Sequence, residues 1–98
     1  MTKIAQQLAA ARNGSASAEE IIKKAEAMAI AKDEIWTGDG YTKYTFDDNS
    51  VLVLSGPVAY GIDADDAESI RGYGEWLDAD ARAKESEEID RLIEALES

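Results

Sequence analysis

The feature that most constrains the fold is a series of three closely spaced β-strand patterns in the middle of the chain. In the first pattern, Thr42, Tyr44 and Phe46 share one face, and Tyr41, Lys43 and Thr45 share the other. The patterns are residues 41–46, 50–54 and 58–62, and turn residues separate them at Asp47-Asp48-Asn49 and at Gly56-Pro57. Connections this short join antiparallel neighbours. The sequence therefore predicts an antiparallel meander.

The segment before the meander is predicted to be mainly helical. Residues 3–12 and 17–33 are rich in Ala, Gln, Glu and Lys, and the second segment has a broad apolar stripe. Gly14 suits the end of the first helix, and Ser17 is expected to cap the second helix, with Glu20 as its partner. Residues 35–37 form a candidate short fourth strand before a Gly-Asp-Gly turn.

Two further helices are predicted after the meander. Asp63 is the expected N-cap of a helix from Ala64 to about Lys84, with Asp66 as its reciprocal partner. Ser86 is expected to cap a last helix, whose apolar face comprises Ile89, Leu92, Ile93 and Leu96. The 98 residues are thus predicted to form a single acidic α+β domain (1–98), an antiparallel three- to four-stranded meander flanked by N-terminal and C-terminal helices.

Negative charge is concentrated in the last third of the chain. Residues 63–98 contain 13 acidic and 4 basic side chains, a net charge of −9, whereas the first 62 residues contain 8 acidic and 6 basic side chains. A field of one sign attracts positively charged partners and repels polyanions. The composition therefore predicts binding to a basic surface and argues against direct binding to nucleic acid.

The composition also argues against catalysis and cofactor binding. The chain has no Cys and no His, which removes thiolate metal ligands and the usual general base. The acids of residues 63–66 lack the Gly and the ligand spacing of an EF-hand, and the glycine pairs at 38–40 and 72–74 form no phosphate loop. A carboxylate hydrolase remains a distant alternative. We expect a non-enzymatic intracellular protein with no cofactor and no membrane segment.

Many of the C-terminal acids have structural explanations. Acids at helix starts interact favourably with the helix dipole. Glu68 and Glu75 flank Arg71 at helical spacing, and Asp78 precedes Arg82 by four residues. The last helix is different, because four acids lie within an arc of about 80° opposite its apolar face. We call this set the acidic ridge: Glu87, Asp90, Glu94 and Glu97. Glu85 is expected to add to it.

The acidic ridge suggests a decoy for a basic, DNA-binding protein as one interpretation, beside that of a simply soluble acidic domain. From Glu87 to Glu97 a helix rises ~15 Å, a length over which duplex DNA presents roughly nine phosphates. Carboxylates fixed on a helix can form charge-assisted hydrogen bonds with Lys and Arg. The alternative left open by the residues is another acidic interaction protein, such as an antitoxin or a titrator of a basic nucleic-acid-binding protein.

Several stretches of the sequence also resemble a known family. These are Ile30-Ala31-Lys32-Asp33, residues 38–52, Asp63-Ala64-Asp65-Asp66-Ala67, Ser69-Ile70 and Trp76-Leu77-Asp78. Together they resemble a phage-encoded anti-CRISPR family, the second-described family of type I-F inhibitors. The resemblance is close to residue-for-residue over the first hairpin and weakest in the N-terminal third.

The resemblance implies a monomeric mimic of double-stranded DNA that acts in the host bacterial cytoplasm. It implies a site between the large subunit and an adjacent backbone subunit of a type I-F surveillance complex, at lysines that load target DNA. A related I-C complex is a second expected target. The acids that the resemblance places at this contact are Asp39, Asp65, Asp66, Glu68, Glu75, Asp78, Glu85, Glu88, Asp90, Glu94 and Glu97. The charge pattern of this sequence adds Glu87 to the partner-binding set.

Overall fold

A four-stranded antiparallel sheet lies between two pairs of helices. The computed structural model describes residues 2–36 and 40–98. Its strands follow one another in the order β1-β2-β3-β4. The elements are α1 (Ile4–Gly14), α2 (Ala18–Met28), β1 (Ala31–Ile35), β2 (Tyr41–Thr45), β3 (Ser50–Ser55), β4 (Val58–Asp63), α3 (Ala67–Trp76) and α4 (Ala79–Glu97). The predicted α+β meander is confirmed, with four strands.

Both faces of the sheet are covered, which explains the nearly continuous apolar sequence of β3. Tyr44 and Leu52 are buried on one face against α1 and α2. Tyr41 and Val53 are buried on the other face against α3 and α4. Because successive strand residues point to opposite faces, Leu52 and Val53 serve different cores. The acidic C-terminal helices therefore lie on the face opposite the N-terminal ones.

The β2–β3 hairpin holds the start of α1. The backbone N–H of Ile4 donates to Asp48 Oδ2 at 2.7 Å, and that of Ala5 donates to the buried Ser50 Oγ at 3.1 Å. Burial by itself would raise the pKa of Asp48, but hydrogen bonds from the Ile4 and Ser50 amides hold it below its usual range. These acceptors satisfy N–H groups that a helix leaves unpaired at its first turn.

Close contact between α1 and β4 depends on a glycine and an asparagine. A Cβ at Gly61 would lie 2.6 Å from the Cα of Gln6, so only glycine fits beneath α1. The Asn13 side chain donates to the carbonyl of Ala59 at 2.8 Å and accepts from its amide at 3.1 Å. The Asn13 side chain thus hydrogen-bonds to the backbone of Ala59 on the outer edge of β4.

The predicted second helix was too long. Its cap is confirmed, because Ser17 Oγ accepts from the Glu20 amide at 3.2 Å. The helix ends at Met28, however, and residues 31–33 belong to β1, which pairs with β2 from Ala31↔Thr45 to Ile35↔Tyr41. Backbone pairing with β2 overrides the helix propensity of this segment. The predicted fourth strand, residues 35–37, overlaps β1 only at Ile35. Trp36 lies outside the strand, and Thr37 and most of the predicted Gly-Asp-Gly turn lie outside the described residues.

The boundaries of both C-terminal helices were also predicted wrongly. Asp63 is the last residue of β4, and its side chain accepts from the Asp65 amide; Asp66 is the N-cap of α3. Helix α3 ends at Trp76, and Asp78 caps α4 by accepting from the Ala81 amide at 2.8 Å. Ser86 lies within α4 and caps nothing. An extended backbone at the buried Leu77 separates the two helices.

Candidate functional site

The acidic ridge lies on the outer side of α4. This helix has 19 residues and buries Ala81 and Ile89 against α3 and the sheet. Leu92 and Ile93 are partly buried on the same side. All four ridge residues, Glu87, Asp90, Glu94 and Glu97, are exposed. The predicted arrangement of an acidic face opposite an apolar face is therefore present.

The four ridge carboxylates differ in how far they are neutralised. Glu97 forms an ion pair with Arg71 of α3. Within residues 2–36 and 40–98, Glu87, Asp90 and Glu94 form no ion pair. Unpaired like charges one turn apart destabilise a helix. These three carboxylates are therefore the ridge members that no ion pair neutralises in the described part of the chain.

Asp80 extends the ridge and was missed by the sequence analysis. It is exposed in the first turn of α4, and seven residues, or about two turns, separate it from Glu87. The error came from the helix boundary, because a helix starting at Ser86 leaves Asp80 in another element. The i, i+7 spacing of the two acids was the available signal.

On α3, Glu68 and Glu75 are exposed, and Glu75 borders the groove that separates α3 from α4. Arg71 and Arg82 line that groove, with Glu75 and Asp90 at its sides. The expected pairing of Arg71 with Glu68 and Glu75 is absent from the described part of the chain, since Arg71 binds Glu97 instead. The α3 acids thus form a second, shorter row of exposed charge.

Asp66 and Asp78 combine exposure with a capping role. Oδ1 of Asp66 accepts from the Glu68 amide at 3.0 Å, and Oδ1 of Asp78 accepts from the Ala81 amide. Each carboxylate is exposed at the surface. Their charge adds to the acidic surface, but their first function is to begin α3 and α4.

Asp65 is neutralised within the fold. Its carboxylate accepts from Lys3 Nζ at 2.6 Å and from Asn49 Nδ2 at 2.8 Å. Lys3 also lies 3.1 Å from Asp63. The hydrogen bond from Lys3 holds the pKa of Asp65 below its usual range and raises the pKa of Lys3. A partner would have to compete with Lys3 for this acid.

Glu85 does not belong to the exposed surface. It is only 6% exposed and lies between α4 and the sheet. Its carboxylate accepts from Tyr41 and Tyr73, each at 2.8 Å, and pairs with Lys43 at 3.2 Å. The sequence offered a signal, because Glu85 falls four residues from both Ala81 and Ile89 on the apolar side of α4. Its expected place beside the ridge is incorrect.

Two predicted contact residues remain. Glu88 is exposed on the flank of α4, where it lies beside Lys84 and Arg91 in a shallow depression. Asp39 lies outside the residues that the structure describes. The predicted acids are therefore brought together mainly along α4 and α3, whereas Asp65 lies at the other end of the acidic segment beside the N-terminus.

Other kinds of site receive no support in the described residues. No cluster of three or more Asp or Glu side chains has the geometry to hold a metal ion there. None of the described helices has the length and apolar character needed to cross a membrane. The acidic surface of α3 and α4 is thus the strongest candidate for function.

Comparison with known proteins identifies related sequences. The family model described as "Anti-CRISPR protein AcrF2 protein" matches residues 4–98, which includes the N-terminal helices as well as the acidic ones. The chain is also similar to "Anti-CRISPR protein 30" of Pseudomonas phage D3112, with 64% identity over 73 residues, covering 74% of this chain and 81% of the relative. The chain therefore belongs to the AcrF2 family of anti-CRISPR proteins.

Proposed function

We propose that this protein inhibits a type I CRISPR RNA-guided surveillance complex by imitating double-stranded DNA at its DNA-loading site. The single observation that carries the proposal is the exposed acidic ridge of α4, three of whose carboxylates form no ion pair with the described residues. The family membership supports a partner in the CRISPR machinery. The protein acts by binding, without catalysis, in the host bacterial cytoplasm.

The spacing of the acids supports mimicry of a phosphate backbone. From Asp80 to Glu97, α4 rises about 25 Å and carries five acids on its outer side. Glu68 and Glu75 add a second row on α3. Because the carboxylates are attached to helices, their positions need little reorganisation on binding. Such preorganisation matters for a decoy, which has less condensed counterion to release than DNA has.

The complementary partner is a lysine-rich surface. Hydrogen bonds between a carboxylate and an ammonium group are among the stronger ones in proteins. The surface we propose lies between the large subunit and an adjacent backbone subunit, in a type I-F complex or the related I-C complex. The protein would bind as a monomer. Its net charge of −11 repels nucleic acid, so it occupies the site of DNA and does not bind DNA itself.

Competition for a type I-F complex tests this proposal. Increasing amounts of the protein are added to the purified complex at low ionic strength, together with a fluorescent target duplex. We expect the protein to exclude the duplex, and the two not to bind together. Formation of a ternary complex containing both the protein and the target DNA would contradict the proposal.

A charge-matched control distinguishes the ridge from net charge. The test variant carries Glu87→Gln, Asp90→Asn and Glu94→Gln, and the control carries Glu19→Gln, Glu20→Gln and Asp47→Asn. Both sets are exposed and remove three negative charges, but Glu19 and Glu20 lie on α2, across the sheet from α4, and Asp47 lies in the turn between β2 and β3. We expect only the ridge variant to lose competition. Equal losses would indicate a non-specific charge effect.

A further inference from the structure

Glu85 is the one acid of α4 whose carboxylate is enclosed by the fold. Its two oxygens accept hydrogen bonds from Tyr41 and Tyr73, and both lie within 3.3 Å of Lys43 Nζ. The two tyrosines are buried. Burial is the main cause that raises their pKa above the ordinary value of a phenol, so both remain protonated donors at neutral pH.

These contacts are also the polar link between α4 and the sheet. Among the described residues, every hydrogen bond and ion pair between α4 and a strand involves Glu85. The other interactions of α4 are apolar contacts, chiefly with α3, and the exposed Arg71–Glu97 pair. Apolar contacts favour burial of the stripe but are not directional.

An apolar stripe alone fixes the position of a helix weakly. Ile89 and Ile93 are one turn apart, so in a shift of one turn one isoleucine would take the place of the other against α3. The stripe contains one carboxylate. A shift of about 5.4 Å along the axis would remove Glu85 from both tyrosines and from Lys43. A buried polar group that is satisfied in one register specifies that register.

The same contacts set the rotation of α4. Glu94 follows Glu85 by nine residues, which at about 100° each amounts to two and a half turns. When Glu85 points at the sheet, Glu94 therefore points away from it. Around the helix axis, Glu87 lies about 160° and Asp90 about 140° from Glu85, so both also point away from the sheet. The inward direction of one carboxylate thus determines the outward direction of the others.

We propose that Glu85 is a positioning residue, which fixes the register and rotation of α4 and so directs the acidic ridge toward its partner. The positional part of this proposal concerns the free protein, and its effect on binding rests on the proposed function. Glu85 contacts no partner. It acts through Tyr41, Tyr73 and Lys43, which hold the helix that carries the ridge.

Distance measurements on the free protein test the positional part. Because the chain has no Cys, spin labels can be attached at Lys23→Cys on α2 and Ala95→Cys on α4, both at exposed positions. Double electron–electron resonance should give one narrow distance distribution. With Glu85→Leu, we expect circular dichroism to show the same helix content, and the distribution to broaden or to gain a second distance about one helical turn away. A single narrow distribution would overturn the proposal.

A second variant covers the case in which Glu85→Leu does not fold. Tyr41→Phe with Tyr73→Phe removes both hydroxyl donors and leaves the sequence of α4 intact. We expect the same second distance, at a lower population because Lys43 still pairs with Glu85. An unchanged narrow distribution in this variant would also overturn the proposal.

Binding measurements distinguish positioning from a general loss of stability. Glu85→Leu is expected to weaken binding to the surveillance complex about tenfold. Ile21→Val, a substitution in the core on the opposite face, lowers stability without touching α4 and is expected to leave binding within about twofold. Equal weakening by both variants would overturn the positioning role. If the wild-type protein does not exclude target DNA, the proposed function fails, while the distance measurements still decide on Glu85.

Discussion

Arg71 of α3 forms an ion pair with Glu97, the last residue of α4. The pair joins the C-terminal end of α4 to the neighbouring helix, and both side chains are about half exposed. It also removes one charge from the acidic ridge, which leaves Glu87, Asp90 and Glu94 as its unpaired members. Glu94 and Glu97 each carry one negative charge, but only the charge of Glu97 is offset by an ion pair.

Replacing Glu94 should slow association with the partner more than replacing Glu97. Glu94→Gln removes an unpaired charge, whereas Glu97→Gln removes one that Arg71 already offsets. We expect the association rate to fall several-fold for Glu94→Gln and less for Glu97→Gln, and both effects to diminish as salt rises. Stopped-flow or surface plasmon resonance measurements at two ionic strengths check this. Equal effects of the two substitutions would contradict the expectation.

Releasing Glu97 should have the opposite effect. Arg71→Gln leaves the carboxylate free and makes the acidic surface more negative, so we expect association to be about twofold faster at low salt. The free energy of unfolding should change by less than about 1 kcal/mol, because the pair is exposed. Lys24→Gln on α2 makes the same change in net charge on the opposite face. An equal acceleration by this control would show that net charge alone is responsible.

Asp48 should stabilise the fold at neutral pH and lose this effect in acid. Its pKa is lower in the folded chain than in the unfolded chain, so the stabilisation is present above the unfolded pKa and disappears as pH falls through the folded one. Asp48→Ala is expected to cost about 1 kcal/mol at pH 7, as for a lost helix cap. Urea denaturation at pH 7 and below pH 4 measures the free energy of unfolding of the variant and of the wild type. The difference between these two free energies should be smaller in acid. The exposed neighbour Asp47→Ala should cost less than about 0.5 kcal/mol.

Tyr41 and Tyr73 should make the fold sensitive to alkali. Burial raises the pKa of both phenols in the folded state, so the unfolded chain releases their protons first as pH rises above about 10. The stabilisation that the two protonated phenols contribute is therefore fully present below about pH 10 and is lost as the pH rises above that value. We expect the double variant Tyr41→Phe with Tyr73→Phe to show a shallower decline in unfolding free energy between pH 9 and pH 11. A decline as steep as that of the wild type would refute this assignment.

Two glycines on or near α1 should respond differently to Ala. At Gly61 the added methyl group would lie 2.6 Å from backbone atoms of α1, so Gly61→Ala should cost at least 1–3 kcal/mol. At Gly14 no atom lies within 4 Å of the added group, and Gly14→Ala is expected to be neutral or slightly stabilising. Chemical denaturation of both variants gives the comparison. Similar costs would mean that the contact of α1 with β4 is looser than described.

The parts of the fold that the sequence predicted well are those set by local chemistry. β2 has alternating residues, short turns connect β2, β3 and β4, and Ser17 has the spacing of an N-cap. Residues 31–33 could not be assigned from local preference, because their strand conformation comes from pairing with β2. Asp63 was predicted as the cap because Asp66 follows it at the spacing of a capping box, but Asp63 pairs as the last residue of β4 and Asp66 is the cap.

The candidate site was predictable to the extent that exposure follows helical periodicity. Glu87, Asp90 and Glu94 lie on the outer side of α4 as the pattern indicated. Glu85 was predicted beside the ridge because of its charge, but its spacing from Ile89 puts it on the apolar side of α4. Asp80 was missed because the continuous α4 was divided at Ser86. Partner choices such as Lys3 with Asp65 depend on contacts between distant segments and have no local signal.

The hydrogen bonds between Asn13 and Ala59 have a consequence for how copies of the protein behave toward one another. A carboxamide carries both N–H donors and a carbonyl acceptor, so Asn13 occupies the backbone groups of Ala59 much as another strand would. At the opposite edge, β1 exposes Lys32, Asp33 and Glu34, and charged edges discourage pairing between sheets. Because Asn13 occupies one edge at Ala59 and the other edge is charged, strand-to-strand growth into fibrils is opposed at both edges of the sheet.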